Sequence, residues 1–135
     1  MKRLLGLAVL MLLALWPTGA LAKHCSNESL KGTYTYAFEA NPPGGGPFAA
    51  VVGTITFDGK GGFTGTNYQN FGGGGPVVGP FEGTYTVNPD CTSTSQFDGS
   101  HTFSIIAHNG DKIRVLNTDA GLILAFTAEK EPDEK

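Results

Sequence analysis

Residues 92–117 read TSTSQFDGSHTFSIIAHNGDKIRVLN, and this stretch contains three strand-like runs separated by two short turns. Asp98-Gly99 and Asn109-Gly110 are dipeptides that favour two-residue hairpin turns, in which the central residues adopt positive φ. The runs between them are rich in Ser, Thr, Ile and Phe, and their side chains alternate in character as those of strands do. Because such short links join antiparallel neighbours, this stretch predicts an antiparallel meander.

The same pattern covers the rest of the chain beyond residue 30. No helical periodicity is found there, and further alternating runs are separated by Gly, Pro, Asn and Asp. Two of the links, 41–47 and 71–80, are long and rich in glycine, whereas the others are short. The strands are predicted at 31–40, 48–57, 63–70, 81–87, 91–97, 100–107, 112–117 and 121–129.

Eight such strands predict an all-β domain in the form of an antiparallel up-and-down barrel. Closure into a barrel buries one face of every strand and removes the exposed edges. A β-sandwich built from the same strands is the alternative. Since successive links of a meander alternate between the two ends, 41–47 and 71–80 are predicted to share one end. We expect that end to be an open mouth.

Residues 1–22 have the plan of a secretory signal peptide. Lys2 and Arg3 precede an apolar run over 4–16, and Ala20-Leu21-Ala22 supplies the small residues of a cleavage site. The run is shorter than the ~20 apolar residues that cross a bilayer. A lipid anchor is disfavoured as well, because it requires a cysteine immediately after a small residue, whereas His24 precedes Cys25. We therefore expect cleavage after Ala22, export to the periplasm or the medium, and no membrane insertion afterwards.

The chain that remains after residue 22 fits one acidic domain. Removing 22 of the 135 residues leaves 113, and two of the nine basic residues lie in the removed part. Seven basic and 12 acidic residues remain, which gives a net charge of −5. This length is typical of one domain, predicted at 23–130, with 131–135 as a flexible acidic tail. The acidic balance argues against a nucleic-acid partner.

Cys25 and Cys91 are the two cysteines of the chain. In an oxidising compartment such a pair is most simply a disulfide, with two free thiols or a metal pair as alternatives. The C-x-x-C motif of redox and zinc sites is missing. Cys25 precedes the first strand and Cys91 follows a tight turn at the same barrel end. We expect the disulfide to hold 26–30 as a plug across that end, with Leu30 pointing inward.

The interior of the predicted barrel has two interpretations. An eight-stranded barrel is just wide enough to be filled by side chains or to hold one small ligand, and filling by side chains is favoured here. The aromatic residues and the polar strand 63–70 support a ligand pocket, which barrels usually place at the mouth. The predicted ligand-contacting residues are Tyr34, Tyr36, Phe38, Phe57, Asn67, Gln69, Phe81, Tyr85 and Phe103.

No motif in the chain predicts catalysis, a metal or a cofactor. A G-x-S-x-G nucleophile elbow is lacking, and the glycine run 72–75 is not followed by the Gly-Lys-Ser/Thr of a phosphate loop. His101 and His108 are seven positions apart, so that on a strand they would face opposite sides. We therefore predict no catalytic residue, no metal ligand and no cofactor.

Four segments together carry a resemblance: LKGTY at 30–34, GTITFDGKG at 53–61, GTYTVNPDCT at 83–92, and Asn109-Gly110. The combination resembles small exported bacterial β-barrel proteins of unknown function, which implies a barrel and export but no assigned chemistry. A looser likeness is to the lipocalin, avidin and allene-oxide-cyclase barrels. Gly32-Thr33-Tyr34 stands where lipocalins have Gly-x-Trp. Likeness of fold does not by itself carry function.

Three functions follow from these expectations. The first is binding of a small apolar or aromatic ligand at the end with the glycine-rich links. The second is a non-catalytic structural or interaction protein of the cell envelope, with a filled barrel and with its links as the contact surface. The third is a barrel cyclase or isomerase, which requires a buried Glu or His beside a cavity. The sequence does not identify a protein partner.

Overall fold

The computed structural model describes residues 24–40 and 49–132. Its eight strands are all antiparallel to their neighbours and close into a barrel in chain order, which confirms the predicted fold. The predicted signal peptide 1–22, the predicted loop 41–47 and residues 133–135 of the predicted tail lie outside the described residues. The strands are β1 (Gly32–Ala40), β2 (Ala49–Phe57), β3 (Gly62–Phe71), β4 (Pro76–Val87), β5 (Thr92–Phe97), β6 (Ser100–Ala107), β7 (Lys112–Asn117) and β8 (Ala125–Lys130).

The Asp98-Gly99 turn of the opening stretch has the predicted two-residue form, whereas Asn109-Gly110 lies within a four-residue link, 108–111. Asp98 and Gly99 have φ of 45° and 76°, and Asn109 and Gly110 have φ of 61° and 97°. Positive φ at both central residues matches the right-handed twist of the strands that such a turn connects. The meander over residues 92–117 therefore forms as its local sequence predicts.

The predicted loop 71–80 is mostly strand. β3 continues to Phe71 and β4 begins at Pro76, which leaves a turn of only 72–75. A strand tolerates proline at its first residue or along an edge, so Pro76 and Pro80 do not prevent β4 from forming. Val77 and Val78 favour extended backbone because their side chains are β-branched, and Val78 pairs with Tyr68 of β3.

The C-terminal boundaries also differ from those predicted. β8 begins at Ala125 rather than 121, so the link before it covers 118–124. After β8, the backbone N–H of Glu131 donates to the carbonyl of Thr33 at 2.8 Å. The chain is therefore still hydrogen-bonded to β1 at the first residue of the predicted tail.

One edge of β4 lacks a partner strand along its first part. β4 pairs with β5 only from Thr84 onward, so among the described strands its segment 76–83 is paired with β3 alone. Pro76 and Pro80 lie in this segment, and neither has a backbone N–H to donate. The β3–β4 hairpin therefore extends beyond the β5–β6 hairpin, and the rim of the barrel is oblique.

The links alternate between the two ends of the barrel. The turn 72–75, the turn 98–99 and the link 118–124 share one end with the connection from Ala40 to Ala49. The links 58–61, 88–91 and 108–111 lie at the other end. We call these ends the mouth and the floor. As predicted, the glycine-rich link after β3 lies at the mouth, and the links at the floor are all short.

A short 3₁₀ helix, Asn27–Leu30, lies across the floor. Its last side chain, Leu30, is 1% exposed. The Asn27 side chain donates to the Lys60 carbonyl at 3.2 Å and accepts the Val87 N–H at 2.8 Å. The Cys25–Cys91 disulfide, with a Cα–Cα distance of 5.0 Å, fixes the start of this plug. The predicted disulfide and the inward Leu30 are thus confirmed, and the disulfide is consistent with an oxidising compartment.

Inward-facing glycines make room for aromatic rings on the neighbouring strands. A Cβ atom at Gly65 would lie 2.2 Å from Cζ of Phe81 and 2.5 Å from the carbonyl oxygen of Thr54. The ring of Phe81 thus lies over the backbone of its cross-strand partner, where any side chain would displace it. The pairs with this arrangement are Gly53 with Tyr36, Gly65 with Phe81, and Gly83 with Phe63.

Candidate ligand-binding cavity

The barrel interior contains a cavity of about 430 Å³. It extends from Leu30 at the floor to Phe71 and Leu122 at the mouth. Its volume lies in the range of small-molecule sites, which is roughly 300–1,000 Å³. The favoured expectation of an interior filled by side chains is therefore wrong.

Small inward-facing residues leave this volume open. β5 and β6 direct Ser93, Ser95, Thr102 and Ser104 into the cavity, in positions that large apolar side chains would fill. Gly79 of β4 also lines the cavity, and a Cβ placed there would meet no atom within 4 Å. One side of the barrel therefore has too little side-chain volume to reach the opposite wall.

One wall of the cavity carries the rings of Tyr36, Phe38 and Phe126, which we call the β1–β8 aromatic wall. The ring centroids of Phe38 and Phe126 are 5.1 Å apart, and those of Tyr36 and Phe126 are 5.3 Å apart. Such separations are typical of favourable aromatic pairs. The wall is thus a packed apolar surface beside the open volume.

A second wall carries Phe63, Phe81 and Phe97, which we call the β3–β5 aromatic wall. The centroid distance is 5.7 Å between Phe81 and Phe97, 6.2 Å between Phe63 and Phe81, and 6.4 Å between Phe63 and Phe97. These rings line the same cavity as the β1–β8 aromatic wall. An aromatic or aliphatic molecule inside the barrel would therefore meet apolar surface on two sides.

A third aromatic layer closes the cavity toward the floor. The ring of Phe57 lies 4.9 Å from that of Tyr85 and 5.5 Å from that of Tyr34. Tyr34 is fully buried, and its hydroxyl donates to the carbonyl of Gly110 in a floor turn. The Tyr85 hydroxyl donates to the Asn27 carbonyl at 3.1 Å. These bonds tie the aromatic floor to the plug and leave the mouth as the accessible end.

Asn67 and Gln69 of β3 add polar groups to the cavity, as predicted from their shared face. The hydroxyl of Tyr36 donates to Oδ1 of Asn67. That bond fixes the orientation of the Asn67 amide, so that its NH₂ group is the part left to meet a ligand. The two amides thus lie beside apolar walls, which is the usual composition of a small-molecule site.

The predicted site residues are placed as follows. Tyr34 belongs to the buried floor and not to the cavity lining, and Phe103 faces outward. The other predicted residues line the cavity: Tyr36, Phe38, Phe57, Asn67, Gln69, Phe81 and Tyr85.

The inward placement of Phe103 is wrong. On β6 the buried side chains are Thr102, Ser104 and Ile106, whereas Ile105, which lies on the same face as Phe103, is 52% exposed. β6 carries apolar residues on both faces, and its inward face is the one rich in hydroxyl groups. The usual rule that the more apolar face is buried therefore selects the wrong face of this strand.

Several lining residues were missing from the predicted site. Phe97 was overlooked because it ends a strand dominated by Ser and Thr. The Asp98-Gly99 turn could have identified it, because a two-residue turn fixes the register of β5 and β6. In that register Phe97 pairs with Ser100 and Ser95 pairs with Thr102, so all four side chains lie on one face. The lining residues that the predicted site lacked include Phe63, Ser93, Ser95, Phe97, Thr102, Ser104, Asn117 and Phe126.

The described lining of the cavity has little charge. Asp98, in a turn at the mouth, is its one acidic side chain, and no Lys, Arg, His or Glu belongs to it. Elsewhere in 24–40 and 49–132, no cluster of three or more His, Cys, Asp or Glu side chains is placed to hold a metal ion. The part of the chain that the structure describes also contains no helix long and apolar enough to span a membrane.

A histidine–aspartate contact holds the link 118–124 at the mouth. The Asp119 carboxylate accepts the backbone N–H of His101 at 2.9 Å and lies 2.9 Å from its ring Nδ1. These hydrogen bonds lower the pKa of Asp119. His101 does not line the cavity, since its neighbour Thr102 is the inward residue. The contact therefore fixes a link and contributes no group to the cavity.

Two tyrosines are expected to ionise late. Burial raises the pKa of Tyr34 and of Tyr36 from 10.0 to about 12. The folded chain then keeps protons that the unfolded chain releases, so this contribution to stability is complete below pH 10 and is lost as the pH rises to about 12. An ultraviolet titration should resolve the late tyrosines, and the Tyr34→Phe/Tyr36→Phe variant should lack them. Ionisation of all four tyrosines together near pH 10 in the folded chain would contradict this prediction.

Comparison of the chain with protein-family models, with curated proteins and with solved structures finds no match.

Proposed function

We propose that this protein binds a small apolar or aromatic ligand in the barrel cavity, with entry from the mouth. The observation that carries the proposal is a cavity of about 430 Å³ between two aromatic walls. The plug and the Cys25–Cys91 disulfide close the floor. Burial of an apolar ligand against such walls would contribute roughly 25 cal/mol per Å² of apolar surface removed from water.

We further infer that the protein acts outside the cytoplasm, in the periplasm or the medium. Residues 1–22 match the plan of a signal peptide. A disulfide between distant residues is also typical of exported chains.

Binding can be tested with a cavity-filling variant. N-phenyl-1-naphthylamine is an uncharged aromatic dye whose fluorescence rises in apolar surroundings, and we expect the wild-type chain to raise it. In Gly79→Phe the new ring would occupy the open space at Gly79, so that the affinity for the dye should fall at least roughly tenfold. Val78→Phe is the matched control, because Val78 is the adjacent residue and is 58% exposed.

Two results would contradict the proposal. One is failure of the wild-type chain to bind this dye and every member of a panel of fatty acids and pigments. The other is equal loss of binding in Gly79→Phe and Val78→Phe, because the dye would then bind outside the cavity.

An exposed apolar patch supports the alternative of an interaction protein. Val52 pairs with Tyr68, which pairs with Val78, and all three are about half exposed on the outer face near the mouth. Clustered apolar residues of this kind often mark contact surfaces. Failure of all ligands in the binding assay would favour this alternative. The cyclase or isomerase alternative lacks the Glu or His that it requires in the described cavity lining.

A further inference from the structure

We propose that the ligand is an uncharged molecule with an aromatic body and one hydroxyl or carbonyl group, and that this polar group forms hydrogen bonds with Ser93 and Ser104. This inference rests on the proposed function and adds the chemical class and orientation of the ligand. The aromatic body would lie between the two aromatic walls, and the polar group would point toward the floor.

Ser93 and Ser104 form a facing pair of hydroxyls on the cavity wall. They are direct cross-strand partners in β5 and β6, where Cβ atoms are roughly 4.5–5.5 Å apart. Their residues are 3% and 5% exposed, and both line the cavity. Ser93 also pairs with Val87 at the floor end of β4. The hydroxyl pair therefore lies deep in the barrel.

These two hydroxyls are available to a ligand. Among the described residues, neither has a side-chain hydrogen bond, whereas the next pair toward the mouth, Ser95 and Thr102, bond to each other. In the described part of the chain, no buried side-chain N or O atom is without a hydrogen-bond partner. The hydroxyls of Ser93 and Ser104 thus reach the open volume. A ligand that displaced water from these hydroxyls would have to form the hydrogen bonds that the water had made.

The charge of the lining restricts the ligand further. The described lining provides no cationic side chain for a carboxylate or phosphate, and the Asp98 carboxylate at the mouth repels anions. Burial of an unpaired charge costs far more than burial of a neutral polar group. A serine hydroxyl both donates and accepts hydrogen bonds, so a ligand hydroxyl or carbonyl fits where an ionised group does not.

Three matched probes test this assignment: 1-methylpyrene, 1-pyrenemethanol and 1-pyrenecarboxylate. They share one aromatic body and differ in an apolar, a neutral polar and an anionic substituent. We expect 1-pyrenemethanol to bind roughly tenfold tighter than 1-methylpyrene, as one or two net hydrogen bonds allow, and the carboxylate to bind weakest. Probe fluorescence gives each Kd.

Variants link the preference to the serines. Ser93→Ala/Ser104→Ala should remove the tenfold preference for 1-pyrenemethanol. The Kd of 1-methylpyrene should stay within twofold of the wild-type value or become lower. Thr94→Ala is the matched control, because Thr94 is on the same strand and faces solvent. It should leave both Kd values unchanged.

The outcomes separate the two proposals. Binding of 1-methylpyrene with no preference for 1-pyrenemethanol, or tightest binding of the carboxylate, would overturn the ligand class and leave the binding function intact. A preference that persists in Ser93→Ala/Ser104→Ala would overturn the role of the serines. Failure of every probe to bind would overturn both the ligand class and the binding function.

Discussion

Reduction of the Cys25–Cys91 disulfide is expected to lower the free energy of unfolding by about 4 kcal/mol. The bond joins residues separated by 66 positions, so its loss gives the unfolded chain the freedom of a long open loop. It also releases the start of the plug, whose Asn27 links Lys60 to Val87 across the floor.

Urea unfolding of the oxidised and reduced forms of the mature chain measures this difference in the free energy of unfolding. In thermal unfolding, the Tm of the reduced form should be lower by roughly 15 °C. The Cys25→Ser/Cys91→Ser variant should match the reduced wild type and show no response to reductant. A difference below about 1 kcal/mol between the two redox forms would contradict the role of the disulfide. So would alkylation of both thiols in native protein without prior reduction.

Replacement of Gly65 by alanine is expected to lower the free energy of unfolding by about 3 kcal/mol, at the upper end of the usual cost of overpacking. The new Cβ would lie 2.2 Å from Cζ of Phe81 and 2.5 Å from the backbone oxygen of Thr54. The ring can be displaced only into the cavity, and the backbone oxygen belongs to a paired strand. Both neighbours must therefore shift to accept one methyl group.

Gly79→Ala provides the matched control for this prediction. Gly79 also faces inward, on the neighbouring strand, but a Cβ there meets no atom within 4 Å. Its replacement should be neutral or slightly stabilising, since alanine restricts the unfolded chain. Combining Gly65→Ala with Phe81→Ala should cost less than the sum of the two single changes. Equal stabilities of Gly65→Ala and Gly79→Ala would contradict the close packing of ring on backbone.

The features predicted correctly from the sequence depend on local signals. The Asp98-Gly99 and Asn109-Gly110 turns fix antiparallel neighbours through the φ preferences of their own residues. Once the meander is known, the alternation of links places Cys25 and Cys91 at one end, which agrees with the disulfide predicted from the cysteine pair and leads to the plug. None of these steps requires knowledge of how side chains from distant strands fit together.

The cavity depends on such fitting, and for this reason the sequence favoured a filled interior over a ligand pocket. Whether the interior is filled is decided by the Ser and Thr side chains that β5 and β6 turn inward, and by glycines such as Gly65 beneath the ring of Phe81. β6 has apolar residues on both faces, so hydrophobicity alone assigned Phe103 to the wrong face. The register with β5 would have corrected that assignment, because it places Ser95 opposite Thr102. Thr102 therefore shares a face with Phe97, the apolar residue of β5, and Phe103 lies on the other face.

The uncovered edge of β4 bears on how copies of this protein behave when they are crowded together. An unpaired strand edge is a template on which another chain can add a strand. Along 76–83 that edge is interrupted by Pro76 and Pro80, which have no N–H to offer. The edge of β4 along 76–83 can therefore be exposed to solvent without seeding the continuous hydrogen-bonded ladder from which amyloid fibres grow.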